Sequence, residues 1–401
     1  FRSKEGWTRK SLEDFELPRS VRETILLRVD RLRPEEIELL RTAAVIGSSF
    51  SYETLLSVSE RSEAEVRTAL EACVLQQLLQ EDPRIRAGYR FRHALTREAI
   101  YDEIITPVRE RWHGLTADAL QANGGAPIDI AQHLLAAGRS DEAVPLCLIA
   151  AEKAELEYAH ADAAALYERI LPHLGEEEGQ RATVLCRLGA AYWGAAQPSA
   201  AYGYLDAGVG LLDRAGDVRG AAHYRLIQGQ CAWEIGKSEE APRHYERART
   251  ELEADGPSRD LAYAYVNLAR VSLTALDANA VVLQAGKAMT IADSAAAGDI
   301  MVHAQTLLGV GQALSGNVDD GLRTLNRGFE NAMRLRLPST ALSAATNSTI
   351  LRCNSSRAAE ALDRLDVLMQ VPDSPATDRA TSPFEGLASY PLGELPRAAL
   401  A

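Results

Sequence analysis

The chain has 401 residues, of which 46% are apolar, 25% charged and only 6% aromatic. That make-up fits a soluble globular protein of two or three domains, and its small side chains suit closely packed helices better than sheets. Residues 1–127 hold 19 basic and 21 acidic groups and residues 128–401 hold 24 and 35, giving a net charge of −13; this acidic second half excludes general binding to a nucleic-acid phosphate backbone.

In chain order, residues 20–32 open with a capping-box pattern from Ser20 to Glu23 and carry apolar residues on one helical face. Pro34 starts a second helix that Gly47 stops, and a short helix follows at Tyr52–Val58. A second capping box, Ser62 to Glu65, opens a helix over Ser62–Gln80. The stretch EDPRIRAGYRFRH gives turn residues with strand-like pieces at Arg84–Arg86 and Tyr89–Arg92. Helix resumes at Ala94 and runs to about Ile105, where Pro107 interrupts. Helix, helix, helix, β-wing, helix is the order of a winged-helix domain, assigned to residues 34–122. Its third helix carries Glu63, Glu65 and Glu71 against Arg67 alone, so it repels phosphate and no DNA reading is expected from it.

Residues 128–370 read as stacked helical hairpins. Residues 181–340 divide into four ungapped blocks of forty with three columns of small side chains: Gly189, Gly229, Ala269, Gly309; Ala201, Ala241, Val281, Gly321; and Gly208, Ala248, Ala288, Gly328. Small residues recurring at one period mark the places where two helices cross closely, and a hairpin with one uncovered apolar face must stack on the next. The spacing of these columns resembles that of tetratricopeptide repeats, lengthened to forty residues. Residues 129–174 read as two or three further helices of the same kind, and residues 340–370 as a last, degraded hairpin. Pro, Ser and Gly dominate residues 371–401, and a disordered tail is expected there. The predicted fold is therefore mainly all-α: a winged-helix domain with a small β-wing, then a tetratricopeptide-like α-hairpin superhelix.

Several apparent chemical signals lead nowhere. Gly236-Lys237-Ser238 ends like a P-loop, but Cys231 stands where the motif needs its first glycine. The histidines include no pair at i, i+4, so no metal site is expected, and no catalytic arrangement is visible. Five widely spaced cysteines without a C-x-x-C pair suggest free thiols in a reducing cytosol, and no run approaches the length of a membrane span. The chain is thus expected to be a cytoplasmic, non-enzymatic piece of a longer protein, without direct nucleic-acid or membrane contact. On the first helix of each hairpin, groove columns would hold Thr183, His223, Tyr263, His303 and Trp193, Trp233, Leu273, Ala313. Aromatic and histidine side chains there could grip a peptide or small effector, or the tryptophans could simply fill gaps between repeats.

The run LPRSVRETILLRVDRLRPEEIELLRTAAVIGSSF, then YRFRHALTREAIYDEI, then helical repeats, resembles the part of STAND signal-transduction ATPases that follows the nucleotide-binding core. That group includes MalT-like and large LuxR-type transcription regulators and ATPase-linked adenylate cyclases. The resemblance implies that residues 1–33 end a helical linker domain of an upstream ATPase module, and that ATP or ADP serves the full-length protein while this chain alone needs no cofactor. FRHALTREAIY is similar to the winged-helix motif whose histidine touches the β-phosphate of ADP in the resting state, a role that falls here on His93. The aspartate that often follows is Ala94 here, so that second contact is missing. A histidine bonded within its own domain is the alternative. The implied function is effector sensing coupled to a nucleotide-dependent switch in a transcriptional regulator, with possible homo-oligomerisation on activation. The rivals are the regulatory tail of a nucleotide cyclase and a plain repeat scaffold.

Overall fold

Glu36 begins the first helix of the core by reaching back to its own cap: its Oε2 accepts the Arg33 backbone N–H at 2.8 Å, and Pro34 occupies the first turn. In the computed structural model, which describes residues 2–3, 6–7, 25–175, 178–355, 357 and 360, this helix is α1 (Pro34–Ile46). The chain divides into two compact units, Phe1–Ala150 and Ala151–Ala401. Ser20 and Glu23, and residues 371–401, lie outside the described residues.

In the first unit, Arg2–Ser3 (β1) pairs with Gly6–Trp7 (β2). Leu39, Leu40, Ala43, Ala44 and Val45 of α1 are fully buried and centre the core. After α1 come β3 (Ser49–Ser51), α2 (Tyr52–Ser59) and α3 (Glu63–Leu75), then the hairpin β4 (Leu79–Asp82) and β5 (Gly88–Phe91). The sheet is antiparallel with β5 in the middle, between β3 and β4. Ser62 caps α3 as its pattern predicts, with Glu65 closing the box. Two details differ from expectation. The first strand of the hairpin is Leu79–Asp82, and Arg84–Arg86 lies in the turn, because Asp82 is buried and holds both the backbone and guanidinium of Arg84. The third helix accordingly stops at Leu75, not Gln80. Alternation along the strands turns Phe50, Leu79 and Phe91 onto the core and leaves Arg90 on the solvent face. Helices α4 (Ala94–Asp102), α5 (Thr106–Ala122), α6 (Pro127–Ala136) and α7 (Ser140–Leu156) follow, the last crossing into the second unit.

The second unit continues with α8 (His160–Ile170), then α9 (Glu178–Gly194), α10 (Pro198–Ala215), α11 (Val218–Glu234), α12 (Glu240–Glu253), α13 (Arg259–Thr274), α14 (Ala278–Ser294), α15 (Gly298–Leu314), α16 (Val318–Arg334) and α17 (Pro338–Asn354). The repeat of forty is two halves of twenty. A left-handed residue closes the helix at Ala196, Gly216, Gly236, Gly256, Leu276, Ala296, Gly316 and Arg336. Behind each comes the same backbone bond, such as Gln197 N–H to Tyr192 C=O at 2.9 Å and Asn317 N–H to Gln312 C=O at 2.9 Å. These are Schellman closures, which satisfy the last carbonyls of each helix. Pro257 breaks the pattern once, having no N–H to give, and Ser258 caps α13 instead through Leu261 N–H.

The small columns sit at equivalent crossings. A Cβ added to Gly189 would meet Leu205 at 2.6 Å, one on Gly229 would meet Tyr245 at 2.6 Å, and one on Gly309 would meet Leu325 at 2.8 Å. Leu205, Tyr245 and Leu325 themselves occupy one column of the forty-residue register, and Ala269, the third repeat's residue in the glycine column, is fully buried. The first helices α9, α11, α13, α15 and α17 each touch the next first helix, whereas the second helices make their main contacts with first helices. The first helices therefore share one continuous face. This is a tetratricopeptide-like helical repeat.

Not every helical glycine is under this constraint. A Cβ at Gly321 would meet the Gly309 carbonyl oxygen at 2.6 Å, but one at Gly286 in α14 meets nothing within 4 Å. Gly321→Ala is expected to lower stability by about 1–3 kcal/mol, since backbone must move. Gly286→Ala is expected to raise it by about 0.5–1 kcal/mol through helix propensity. Urea unfolding of the two variants followed by circular dichroism should show midpoints shifted in opposite directions.

Candidate functional site

His93 stands at the N-cap of α4 in an extended conformation, φ −135° and ψ 135°. The chain entering it is pinned by sheet-edge bonds: Phe91 N–H donates to Ser48 C=O at 3.0 Å and Arg92 N–H to Leu78 C=O at 3.1 Å. The His93 carbonyl accepts Thr96 N–H at 3.0 Å, but its ring makes no capping bond and is exposed beside exposed Arg92 and Ala94. The intradomain capping role open at the level of sequence is therefore not the one this ring plays. A rigid backbone with a solvent-facing imidazole can donate N–H to an anionic ligand.

Behind His93, α4 is locked to the rest of its unit by a polar chain that sequence spacing did not reveal. Tyr101 Oη lies 2.8 Å from His113 Nε2 on α5, and His113 Nδ1 lies 2.8 Å from His133 Nδ1 on α6. His133 in turn bonds to the Ile46 carbonyl. One set of tautomers, assigned from this network, satisfies every bond with both rings neutral: Tyr101 donates to His113, His113 donates to His133, and His133 donates to Ile46. Burial lowers the pKa of His113 to about 4, helped by His133, Arg97 and Arg109, and burial also lowers that of His133. Arg97 Nε donates to the Ala44 carbonyl at 2.8 Å, and the guanidiniums of Arg97 and Arg109 lie 5.4 and 5.2 Å from the Tyr101 ring centre. Ala44 and Ile46 end α1, which has no basic residue in its last turn. Arg97 and His133 therefore supply its C-terminal carbonyls with donors from other helices.

In the second unit the expected groove residues fall on the shared face of the first helices with different exposures. His223 on α11 pairs with Asp260 on α13 at 2.9 Å, and His303 on α15 bonds Thr340 on α17 at 3.0 Å, the same two columns used two repeats apart. Asp260 raises the His223 pKa, while burial lowers that of His303 to about 4. Tyr263 differs from its neighbours. It is 5% exposed and its hydroxyl reaches Gln230 Oε1 at 3.4 Å, so its ring packs between repeats and is not offered to a ligand. Trp193 and Trp233 are half-buried, and the Trp193 indole N–H donates to Glu234 at 3.4 Å. Lys237, the lysine of the false P-loop, lies 4.2 Å from the Tyr202 ring centre and pairs with Glu240 at 3.3 Å, in a turn between helices. Among the described residues no helix is long and apolar enough to cross a membrane.

No protein-family model and no curated protein matches the chain. Among solved structures it is similar to a STAND protein with a tetratricopeptide repeat sensor, PH0952 from Pyrococcus horikoshii, with 13% identity over 91% of this chain and a TM-score of 0.47. This chain spans 61% of that protein's length. It is also similar to the apo form of RapI, at 11% identity over 68% of this chain and 98% of that one with a TM-score of 0.48. Aspartyl phosphate phosphatase F from Bacillus subtilis is 10% identical over 90% of this chain and 96% of its own, with a TM-score of 0.48. At such identities no activity or partner transfers to this chain.

The histidine chain makes stability fall on acidification. The folded-state pKa of His113 is depressed below the unfolded value near 6.5, so its contribution is complete above pH ~6.5 and is lost as pH falls towards 4. The loss is expected to be on the order of 2–3 kcal/mol, and His113→Gln should flatten the dependence of melting temperature on pH across that window. The His223–Asp260 pair has the opposite sign. Its contribution is present below the unfolded histidine value and fades as pH rises through the raised folded one.

Proposed function

We propose that this chain is the regulatory, partner-sensing segment of a STAND-type signal-transduction ATPase, serving a transcriptional regulator. The observation that carries the reading is the exposed, backbone-pinned ring of His93, inside the FRHALTREAIY motif and at the start of a helix bonded to α1 and α5. The helix–strand–helix–helix–hairpin order of residues 34–91, with α4 next, supports a winged helix as the carrier of that ring. Below it in the chain, a repeat array with one continuous first-helix face offers a platform for a protein or small-molecule effector.

In this reading His93 donates to the β-phosphate of ADP held by an upstream ATPase core and favours the resting state. An effector seated on the repeat face favours a second arrangement, and the switch follows from the difference in its affinity for the two. His93→Ala is a clean test, because it removes an exposed ring that makes no capping bond. In the full-length protein that variant should hold ADP about 10-fold less tightly and show raised basal output, with unchanged melting temperature in the absence of nucleotide. Wild-type ADP retention together with wild-type basal output would sink the nucleotide role.

A further inference from the structure

Side-chain rungs join the first helices of the array to one another near their N-termini. His223 Nδ1 on α11 meets Asp260 Oδ2 on α13 at 2.9 Å, Arg259 on α13 donates to Asp299 on α15 at 2.8 Å, and His303 on α15 bonds Thr340 on α17 at 3.0 Å. The three answer pH differently. Asp299 raises the pKa of Arg259, so that rung stays an ion pair near neutrality. Burial lowers the pKa of His303 to about 4, so its rung stays neutral. His223 is the one that changes charge, because its bond to Asp260 lifts its pKa above the ordinary histidine value. The pair is 49% and 33% exposed, so solvent protons reach it.

This rung sits where the array departs from its own pattern. Between α12 and α13 the turn at Gly256 is followed by Pro257, which has no N–H with which to make the bond that seals the other turns. At the same junction α11 and α13 have the slightest contact of any two consecutive first helices from α9 to α17. Deeper inside, the two hairpins stay joined: Ala222, Leu252 and Tyr263 share one buried cluster, and the Tyr263 hydroxyl reaches Gln230 Oε1 at 3.4 Å. A buried pivot is thus paired with a solvent-exposed tie at the edge. We propose that the α11–α13 junction is a hinge and that the His223–Asp260 pair is its clasp, closed when the imidazole is protonated and loosened when it is neutral.

The protonated ring makes a charge-assisted bond. The neutral ring donates from Nδ1 in only one of its two tautomers, and the attraction of opposite charges is gone. The clasp therefore tightens below the raised folded-state pKa and loosens as pH rises through it. Around the pair stand Arg219 and Tyr224 on α11 and Arg259 on α13. Both arginines act on Asp260, and the Tyr224 ring centre lies 5.0 Å from that of His223. Cys186 and Arg187 of α9 act on Tyr224, and Asp299 of α15 acts on Arg259. The charge that acts on His223 itself is that of Asp260, and none from α10 or α12 does so among the described residues. Both helices belong to the face on which an effector is proposed to sit, so a looser clasp changes the surface offered to it. The clasp lies in the second unit and owes nothing to the role of His93.

The test uses the full chain with Cys353→Ser, and with spin labels on Arg243→Cys in α12 and Leu283→Cys in α14, one exposed position on each hairpin. The other four cysteines are buried and escape labelling. Label separations are measured by double electron–electron resonance at about pH 5.5 and about pH 8.5, either side of the ordinary histidine value. The share of a second separation should rise about 3-fold at the higher pH, the scale set by one partly exposed ion pair. His223→Ala should show the larger share at both values, and it subtracts every other group that titrates in the window. His223→Gln keeps a neutral donor for Asp260 and should show no dependence on pH. A distribution that stays fixed with pH in the parent, or one that still moves in either variant, overturns the clasp.

Discussion

Close approach of helix backbones is the constraint on which the second unit depends. At the Gly189, Gly229 and Gly309 crossings a single added carbon would fall within 2.8 Å of a neighbouring side chain, and at Gly321 it would run into a carbonyl oxygen. Interiors packed to crystal-like density cannot absorb such an atom locally. The crossing sets the distance between the two helices of a hairpin, and that distance must recur for the next hairpin to stack in the same way. The turns enforce the recurrence. A left-handed closure every twenty residues gives helices of nearly equal length, so successive crossings meet at the same height. Where glycine is missing from the closure, as at Ala196, Leu276, Ala296 and Arg336, the chain accepts a strained conformation to keep the cadence.

The first unit solves a different problem. Its central helix, α1, is almost wholly apolar on the buried side and ends without a basic residue to answer its last carbonyls. Buried carbonyls need donors. Arg97 from α4 and His133 from α6 provide them, and His113 and Tyr101 pass the same bonding on to α5 and back to α4. The helix that carries His93 at its start is thereby tied to the C-terminus of α1 at two points. A polar network of this kind fixes one arrangement of the helices where apolar contact alone would tolerate several.

Much of this was legible in the sequence, for physical reasons that differ by feature. The small columns could be read because steric exclusion acts on residue size, and size is written in the residue name. The capping box at Ser62 and Glu65 could be read because its partners are three residues apart. The first strand of the β4–β5 hairpin lies about five residues before its expected place because Arg84–Arg86 alternates like a strand, while the burial of Asp82 that makes it a turn depends on tertiary contacts. His113 and His133 escaped altogether: twenty residues separate them, and only the packing of α5 on α6 brings their rings within a hydrogen bond. Tyr263 looked like its column mates His223 and His303, yet a hydroxyl at the end of a flat ring found Gln230 and sank between repeats.

Register also separates what the fold needs from what it merely permits. Columns under steric demand hold Gly or Ala in almost every repeat, and a substitution there is answered by the neighbouring helix. The column Trp193, Trp233, Leu273, Ala313 on the first helices keeps no such pattern, while in the next column Gly194 is itself constrained, since an added Cβ would meet the His160 ring at 2.6 Å. Costly choices in a permissive column need a reason outside packing. Trp193 and Trp233 stand half-buried in consecutive repeats where the following repeats carry leucine and alanine, and the Trp193 indole N–H bonds Glu234 across the two first helices at 3.4 Å.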